Sequence, residues 1–163
     1  KVWFLDQVIN DRGVYVDKEL CEKSKVIVAE ATRRLDAELA EITDFAVTAA
    51  SNTGAIRKWL AANGLQTDSV AKDVLETLLA RDDLTQEQRR VLEIRRDGGK
   101  SSTAKIDAML ARRQADGRMR GNLQYHGAGT GRWAARGAQL QNLMRPTESA
   151  SAVSQIIDRI LEG

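Results

Sequence analysis

The 163-residue sequence contains very few of the residues that build disulfides, metal sites and linkers. It has one cysteine, one histidine and one proline. The single Cys21 cannot form an internal disulfide and is typical of a reducing interior. The single His126 excludes a metal site made of several histidines. One proline offers little linker material, and the length suits one domain with its own core.

Long apolar runs are also absent. No run approaches the roughly 18 residues that a membrane-spanning helix needs, and the N-terminus lacks the pattern of a secretion signal. We therefore expect no membrane partner and a cytoplasmic location. Residue 1 is Lys and not an initiator Met, which favours a fragment or a processed piece of a longer chain.

Charge is unevenly distributed, although the net charge is only +2. Residues 1–50 carry seven basic and ten acidic side chains, whereas residues 81–145 carry fourteen basic and seven acidic ones. Such an asymmetry favours nucleic acid or another polyanion as partner. A basic face that only meets solvent is the alternative.

Apolar periodicity predicts a mainly helical fold. The clearest element is a long helix from about 18 to 43, which Asp17 caps and whose apolar stripe needs a packing partner. A short first helix ends at Gly13, and Thr85 with Gln88 has the spacing of a capping box. The stripe consists of Leu20, Ile27, Ala31, Leu35, Leu39 and Ile42. Other helices are predicted over 51–64, 69–81, around 91–94, through 106–110 and over 149–161. The segment GRMRGNLQYH (117–126) predicts a strand pair or a strand with a turn.

Residues 125–146, YHGAGTGRWAARGAQLQNLMRP, hold four glycines, three arginines and no acidic residue. The glycines match neither a P-loop nor a dinucleotide-binding fingerprint. A Cys21–His126 nucleophile pair is formally open, but Cys21 suits a small apolar residue of an amphipathic helix. Asp82-Asp83 has the pattern of a turn. We predict no catalytic residue and no metal site.

Two sets of residues indicate binding to a nucleic acid. Lys100, Ser101, Ser102, Thr103 and Lys105 place ammonium and hydroxyl groups at a predicted helix start, which suits backbone phosphates. An ordinary capped helix start is the alternative. In the second set, Arg132, Gln141 and Asn142 carry donors for the minor-groove acceptors that all base pairs share. A glycine-rich structural loop is the alternative there.

The segment TGRWAARGAQLQN (130–142) resembles the motif TGR-L-S-S-x-x-P-N-L-Q-N of family A DNA polymerases, the bacterial polymerase I type, in the form of its phage and prophage branch. Three further segments resemble the family in order and spacing: LDQVINDRGVYVDKEL, SNTGAIRKWLAANGL and KSSTAKI. The resemblance covers about residues 3–146.

The resemblance implies a mainly α fold with long antiparallel helices of the thumb type, short helices and a small β element near 118–125. It divides the chain into a helical thumb region (1–116), a palm-proximal strand and loop (117–148) and a C-terminal helix (149–163). By the same resemblance, Arg132 reaches the minor groove near the primer terminus, and Gln141 and Asn142 contact the template-primer. Thumb phosphate contacts fall on Lys100, Ser101, Ser102, Thr103 and Lys105.

The sequence departs from the family in several places. Met144 stands where the family often has proline, and Gly98-Gly99 predicts a bent or mobile thumb tip. The two metal-binding aspartate motifs and the nucleotide-binding finger helix are absent. The resemblance therefore implies that Mg²⁺ belongs to the parent polymerase, that no cofactor binds here, and that this piece alone is inactive. The implied partners are primer-template DNA and the remainder of the polymerase chain, in a bacterial host cell.

Three alternatives stay open. The first is a stand-alone helical nucleic-acid-binding protein. The second is a protein-interaction module whose long helix is a coiled-coil arm, although the stripe lacks a strict heptad with charged flanks. The third is an intact enzyme that uses the glycine loop.

Overall fold

A computed structural model describes residues 2–98, 104–143 and 146–163 of the chain. As predicted, the fold is mainly α, with small antiparallel β elements that include residues near 118–125. In chain order the elements are α1 (Val2–Arg12), β1 (Val14–Tyr15), α2 (Lys18–Ile42), α3 (Thr53–Ala62), α4 (Lys72–Leu79), α5 (Gln86–Gly98), α6 (Ala104–Arg112), β2 (Arg118–Met119), β3 (Leu123–Gln124), β4 (Ala134–Ala135), a 3₁₀ helix (Leu140–Asn142) and α7 (Ala150–Glu162).

The chain forms two compact units. Lys1–Ile27 and Ser101–Gly163 make one, called here the terminal unit, and Val28–Lys100 make the other, the central unit. The predicted division of the chain at 116 and 148 stays a prediction. Among the described residues, no helix is both long enough and apolar enough to cross a membrane.

The first two helix boundaries follow the sequence signals. Gly13 ends α1: its N–H donates to the Ile9 carbonyl at 3.1 Å, and its φ is +64°. Asp17 caps α2 by accepting from the Leu20 amide at 3.0 Å. Both predictions are confirmed. Glycine suits a helix stop because it adopts positive φ without steric cost.

The long predicted helix is confirmed as α2, but its apolar stripe is buried only near the C-terminal end. Leu39 is fully buried, and Leu35 and Ile42 pack against the core of the central unit. In contrast, Ile27 is 52% exposed and Ala31 is also exposed. The expectation that the whole stripe is packed is therefore wrong for its middle part, where no described element covers Ile27 and Ala31.

Helices α3, α4 and α5 supply most of the central core. Its fully buried side chains include Ile56, Leu60, Val91, Leu92 and Ile94. Burying each such side chain contributes about 1.5–3 kcal/mol.

The start of α4 lies later than predicted. The sequence pattern began this helix at 69, and the structure begins it at Lys72. Hydroxyl groups hold a turn before it: the Ser69 amide donates to Thr67 Oγ1 at 3.3 Å, and the Ala71 amide donates to Ser69 Oγ at 3.1 Å. Such local bonds compete with helix formation.

The capping box at the start of α5 is confirmed. The Thr85 amide donates to Gln88 Oε1 at 3.0 Å, and the Gln88 amide donates to Thr85 Oγ1 at 3.1 Å. The Gln88 side chain is buried and also donates to the Asn63 carbonyl at 2.7 Å. One glutamine thus fixes both the start of α5 and the end of α3.

Two short strands occupy the segment 117–126, and they pair with different partners. Strand β2 pairs antiparallel with β1, with Val14 opposite Met119, whereas β3 pairs with β4, with Leu123 opposite Ala135. A hairpin confined to this segment is therefore not formed. The buried Asn122 separates the two strands and donates to the Met119 carbonyl at 2.7 Å.

Candidate nucleic-acid interface

The glycine-rich stretch forms a β-hairpin in the terminal unit. Strands β3 and β4 are its arms, and residues 125–133, called here the hairpin loop, connect them. The ladder is extended by one bond, in which the Arg136 amide donates to the Asn122 carbonyl at 2.8 Å. Strand β4 was not predicted, because two successive alanines show no alternation of apolar and polar residues.

Two glycines of the hairpin loop are explained by the loop's own packing. A Cβ on Gly127 would lie 2.7 Å from the Cβ of Ala134, and one on Gly131 would lie 3.1 Å from the His126 ring. Gly131 also has a φ of +74°. A Cβ on Gly129 would meet no atom of the described residues within 4 Å, apart from its chain neighbours. At Gly127 and Gly131, packing within the loop is a sufficient reason for glycine.

Aromatic rings gather at the base of the loop. Tyr125 packs edge-on against His126, with ring centroids 5.1 Å apart, and against Trp133, with centroids 6.4 Å apart. The contact between Tyr125 and Trp133 joins the two ends of the loop, and Arg132 directly precedes Trp133. No pattern in the sequence predicted this cluster, because the pairing of β3 with β4 is what brings Tyr125 and Trp133 together.

Arg132 has a fixed backbone and an uncommitted side chain. Its carbonyl accepts from the Ala128 amide at 3.1 Å. Its side chain is exposed, and within the described ranges the guanidinium has no hydrogen-bond or ion-pair partner. A cation held in this way is available to an outside acceptor.

Asn142 lies in the 3₁₀ helix, a few residues beyond the hairpin. It is exposed, and its Nδ2 donates to Gln139 Oε1 at 3.0 Å. Gln139 precedes this turn in the left-handed conformation, with φ +50°. Gln141 belongs to the same turn, but its side chain lies outside the described part of the structure.

Lys105 is the one residue of the predicted phosphate set whose position is described. It lies on α6, and its Nζ donates to the Asn142 carbonyl at 3.2 Å. The structure thus brings together one member of each predicted set. Lys100, Ser101, Ser102 and Thr103 lie outside the described residues, as do Gly99 and Met144.

Arg112, at the other end of α6, packs against the chain on both sides of the hairpin. Its Nη2 donates to the carbonyls of Arg120 and Gly121 at 3.3 and 3.4 Å. The space at Gly137 is filled by the same side chain, because a Cβ there would collide with Arg112 Nε. Gly137 also has a φ of +63°. Both ends of α6 therefore contact the glycine-rich stretch, Lys105 at Asn142 and Arg112 at Gly137.

An ion pair fixes the turn before β2. Arg120 Nη1 donates to Asp116 at 3.0 Å, and the Arg118 amide donates to the same carboxylate at 3.1 Å. The Arg120 guanidinium, followed by that amide, lowers the pKa of Asp116 to about 2. Asp116 therefore stays ionised and paired at neutral pH. No acidic residue occurs from 117 to 147, where five arginines are found.

The structure gives no support to a reactive cysteine. Cys21 packs against the small core of Val16, Met119 and Ala138 in the terminal unit. Burial, and secondarily Asp17 and Glu22, raise the pKa of its thiol. A nucleophilic cysteine needs the opposite shift. Among the described residues, no group of three or more His, Cys, Asp or Glu side chains is placed to hold a metal.

Comparison with known proteins identifies a phage relative. Over 144 residues, 88% of this chain, the sequence is 39% identical to a DNA polymerase of Bacillus phage SP02. The chain spans 22% of the length of that polymerase. No protein-family model matches the chain, and no solved structure matches it. The chain is thus similar, over most of its length, to a part of a phage DNA polymerase.

Proposed function

We propose that this chain is a part of a family A DNA polymerase, comprising its thumb and the start of its palm, and that it holds the primer-template duplex. The observation that carries the proposal is the 39% identity to a phage DNA polymerase over 88% of the chain. The polymerase-like motif TGRWAARGAQLQN lies in the hairpin and the 3₁₀ helix. The location of the parent enzyme is the cytoplasm of a bacterial host.

The arrangement of the basic groups supports contact with DNA. The guanidinium of Arg132 has no partner in the part of the chain that the structure describes, and Lys105 donates to the Asn142 carbonyl at the 3₁₀ helix. In this proposal Arg132, Gln141 and Asn142 face the minor groove near the primer terminus. Lys105, with Lys100 and Ser101–Thr103, contacts backbone phosphates, which positions the duplex without reading its sequence.

The chain's other proposed partner is the remainder of the polymerase. Helix α1 leaves a set of large apolar side chains open to solvent. Trp3 and Phe4, for example, are 66% and 67% exposed. An apolar surface of this kind supports a further packing partner. The rest of the parent chain is the partner that we propose.

The catalytic metals are assigned to the parent and not to this chain. Two-metal phosphoryl transfer depends on carboxylates that fix the ions, and the described residues offer no such cluster. We therefore propose that Mg²⁺ binds elsewhere in the polymerase and that this chain alone transfers no nucleotide.

The test combines binding and activity assays of the purified chain. Fluorescence anisotropy with a labelled primer-template duplex should show binding that weakens as salt rises, because released counterions drive phosphate contacts. Replacing Arg132 with Ala should weaken that binding. Primer extension with Mg²⁺ and all four nucleotides should give no product. Absence of duplex binding at low salt would contradict the proposed DNA grip, and clear incorporation would overturn the assignment of catalysis to the rest of the parent.

A further inference from the structure

The arginines around the hairpin fall into two groups. Four of them, Arg112, Arg113, Arg118 and Arg120, donate to protein carbonyls or carboxylates. Two others, Arg132 and Arg136, are exposed and have no side-chain partner among the described residues. The first group stabilises the fold. The guanidinium groups of the second group are available to a ligand.

Arg136 is held as firmly at its backbone as Arg132. Its amide donates to the Asn122 carbonyl at 2.8 Å, and its carbonyl accepts from the Gln139 amide at 3.4 Å. It directly follows β4, whereas Arg132 lies two residues before that strand. Ordering the backbone in advance lowers the entropic cost of a contact made by the side chain.

The spacing of the two arginines separates their roles. At about 3.3 Å per residue of extended chain, the four steps from Arg132 to Arg136 span at most about 13 Å between Cα atoms. The minor groove of a DNA duplex is only about 6 Å wide. That span is about twice the groove width. An arginine at the distance of Arg136 can therefore reach the sugar-phosphate strand beside the groove that Arg132 enters.

We propose that Arg136 binds a backbone phosphate of the duplex beside the groove that Arg132 enters. This inference rests on the proposed function, because it assumes that the hairpin faces DNA. The local charge favours it: no carboxylate occurs between 117 and 147, and Asp116 is already paired with Arg120. A phosphate therefore meets no acidic neighbour in sequence, and a guanidinium pairs well with its oxygens.

The salt dependence of binding tests this contact. Duplex affinity of the chain is measured by anisotropy at several salt concentrations, for wild type and for Arg136→Gln. The plot of log K against log salt has a negative slope. Loss of one phosphate contact should reduce the magnitude of that slope by about 1, for duplexes of any sequence. Arg136→Lys should keep the wild-type slope, since a lysine also pairs with phosphate as a point charge. Arg159→Gln is the matched control, because Arg159 on α7 is also exposed and has no described side-chain partner.

The outcomes separate this inference from the proposed function. An unchanged slope in Arg136→Gln, with weakened binding in Arg132→Gln, overturns the Arg136 contact and leaves the DNA grip standing. Equal slope losses in Arg136→Gln and Arg159→Gln overturn it as a general charge effect. Absence of duplex binding by the wild type contradicts both the Arg136 contact and the proposed DNA grip. Far-UV circular dichroism checks folding, and Arg136→Met, a second neutral replacement, should reproduce the slope loss; failure to do so counts against the contact.

Discussion

At the scale of single residues, the glycines of the terminal unit differ in what they require. Gly13 and Gly121 both have a φ of +64°. Their surroundings are unlike, however. A Cβ on Gly13 would lie 2.6 Å from the Met119 carbonyl oxygen, whereas the nearest described atom to one on Gly121 would be Arg112 Nη2, at 4.0 Å. Gly13 is therefore required by backbone contact and by conformation, and Gly121 by conformation alone.

We predict that Gly13→Ala destabilises the terminal unit more than Gly121→Ala does. The left-handed conformation costs a non-glycine residue about 1–2 kcal/mol, which applies to both variants. In Gly13→Ala the new methyl group also pushes β1 from β2, so the total cost should reach about 3 kcal/mol or more. Urea unfolding followed by circular dichroism measures both. Equal losses would show that the contact with Met119 relaxes freely.

At the scale of secondary-structure elements, Gln88 links two helices of the central unit. Its side chain accepts from the Thr85 amide and donates to the Asn63 carbonyl, and it is 5% exposed. Asn52, which caps α3, makes a simpler contact: it is exposed and accepts from the Ala55 amide at 3.1 Å. Gln88 is therefore a buried link between two helices, whereas Asn52 is an ordinary exposed cap.

Gln88→Ala should cost more stability than Asn52→Ala. Loss of an exposed cap costs about 0.5–2 kcal/mol. Loss of Gln88 removes a cap and also leaves the Asn63 carbonyl and the Thr85 amide without their partner, for about 3 kcal/mol in total. Both residues belong to the central unit, so one unfolding transition reports both. A cost for Gln88→Ala no larger than that for Asn52→Ala would mean that water replaces the buried bonds.

Helix signals in the sequence were reliable where they were local. Gly13, Asp17 and the pair Thr85 and Gln88 act within one turn of the chain, and each boundary they predicted is present. The pairing of strands was harder to predict from the sequence. Val14 pairs with Met119, more than 100 positions away, and two-residue strands carry too little pattern to reveal such partners.

The candidate site was predictable in part for the same reason. Arg132 and Asn142 were found by their residue types within a short motif, and both are exposed in the structure. Arg136 was not singled out. Its significance depends on which neighbouring arginines have partners, and that information is set by tertiary contacts such as Arg120 with Asp116. Charge counts treat all of these arginines alike.

At the scale of the whole molecule, the two units have different proposed roles. The hairpin, the 3₁₀ helix and α6 belong to the terminal unit, whereas α3 and α4 belong to the central unit. A ligand that binds only the native state stabilises the part it contacts by RT ln(1 + [L]/Kd), about 2.7 kcal/mol at 100 times Kd. DNA should therefore protect the two units unequally.

Hydrogen exchange of the chain with and without duplex measures this difference. At a duplex concentration of about 100 times Kd, amides over 123–143 should exchange up to about 100-fold more slowly, because their opening must first release the DNA. Amides of α3 and α4 should change little, since no proposed DNA contact lies on these helices. The Arg132→Ala variant should bind the duplex more weakly. At the same duplex concentration, its amides over 123–143 should therefore exchange at rates closer to those of the free chain. Protection centred on α3 and α4 would place the DNA on the central unit and contradict the assignment of the grip to the hairpin.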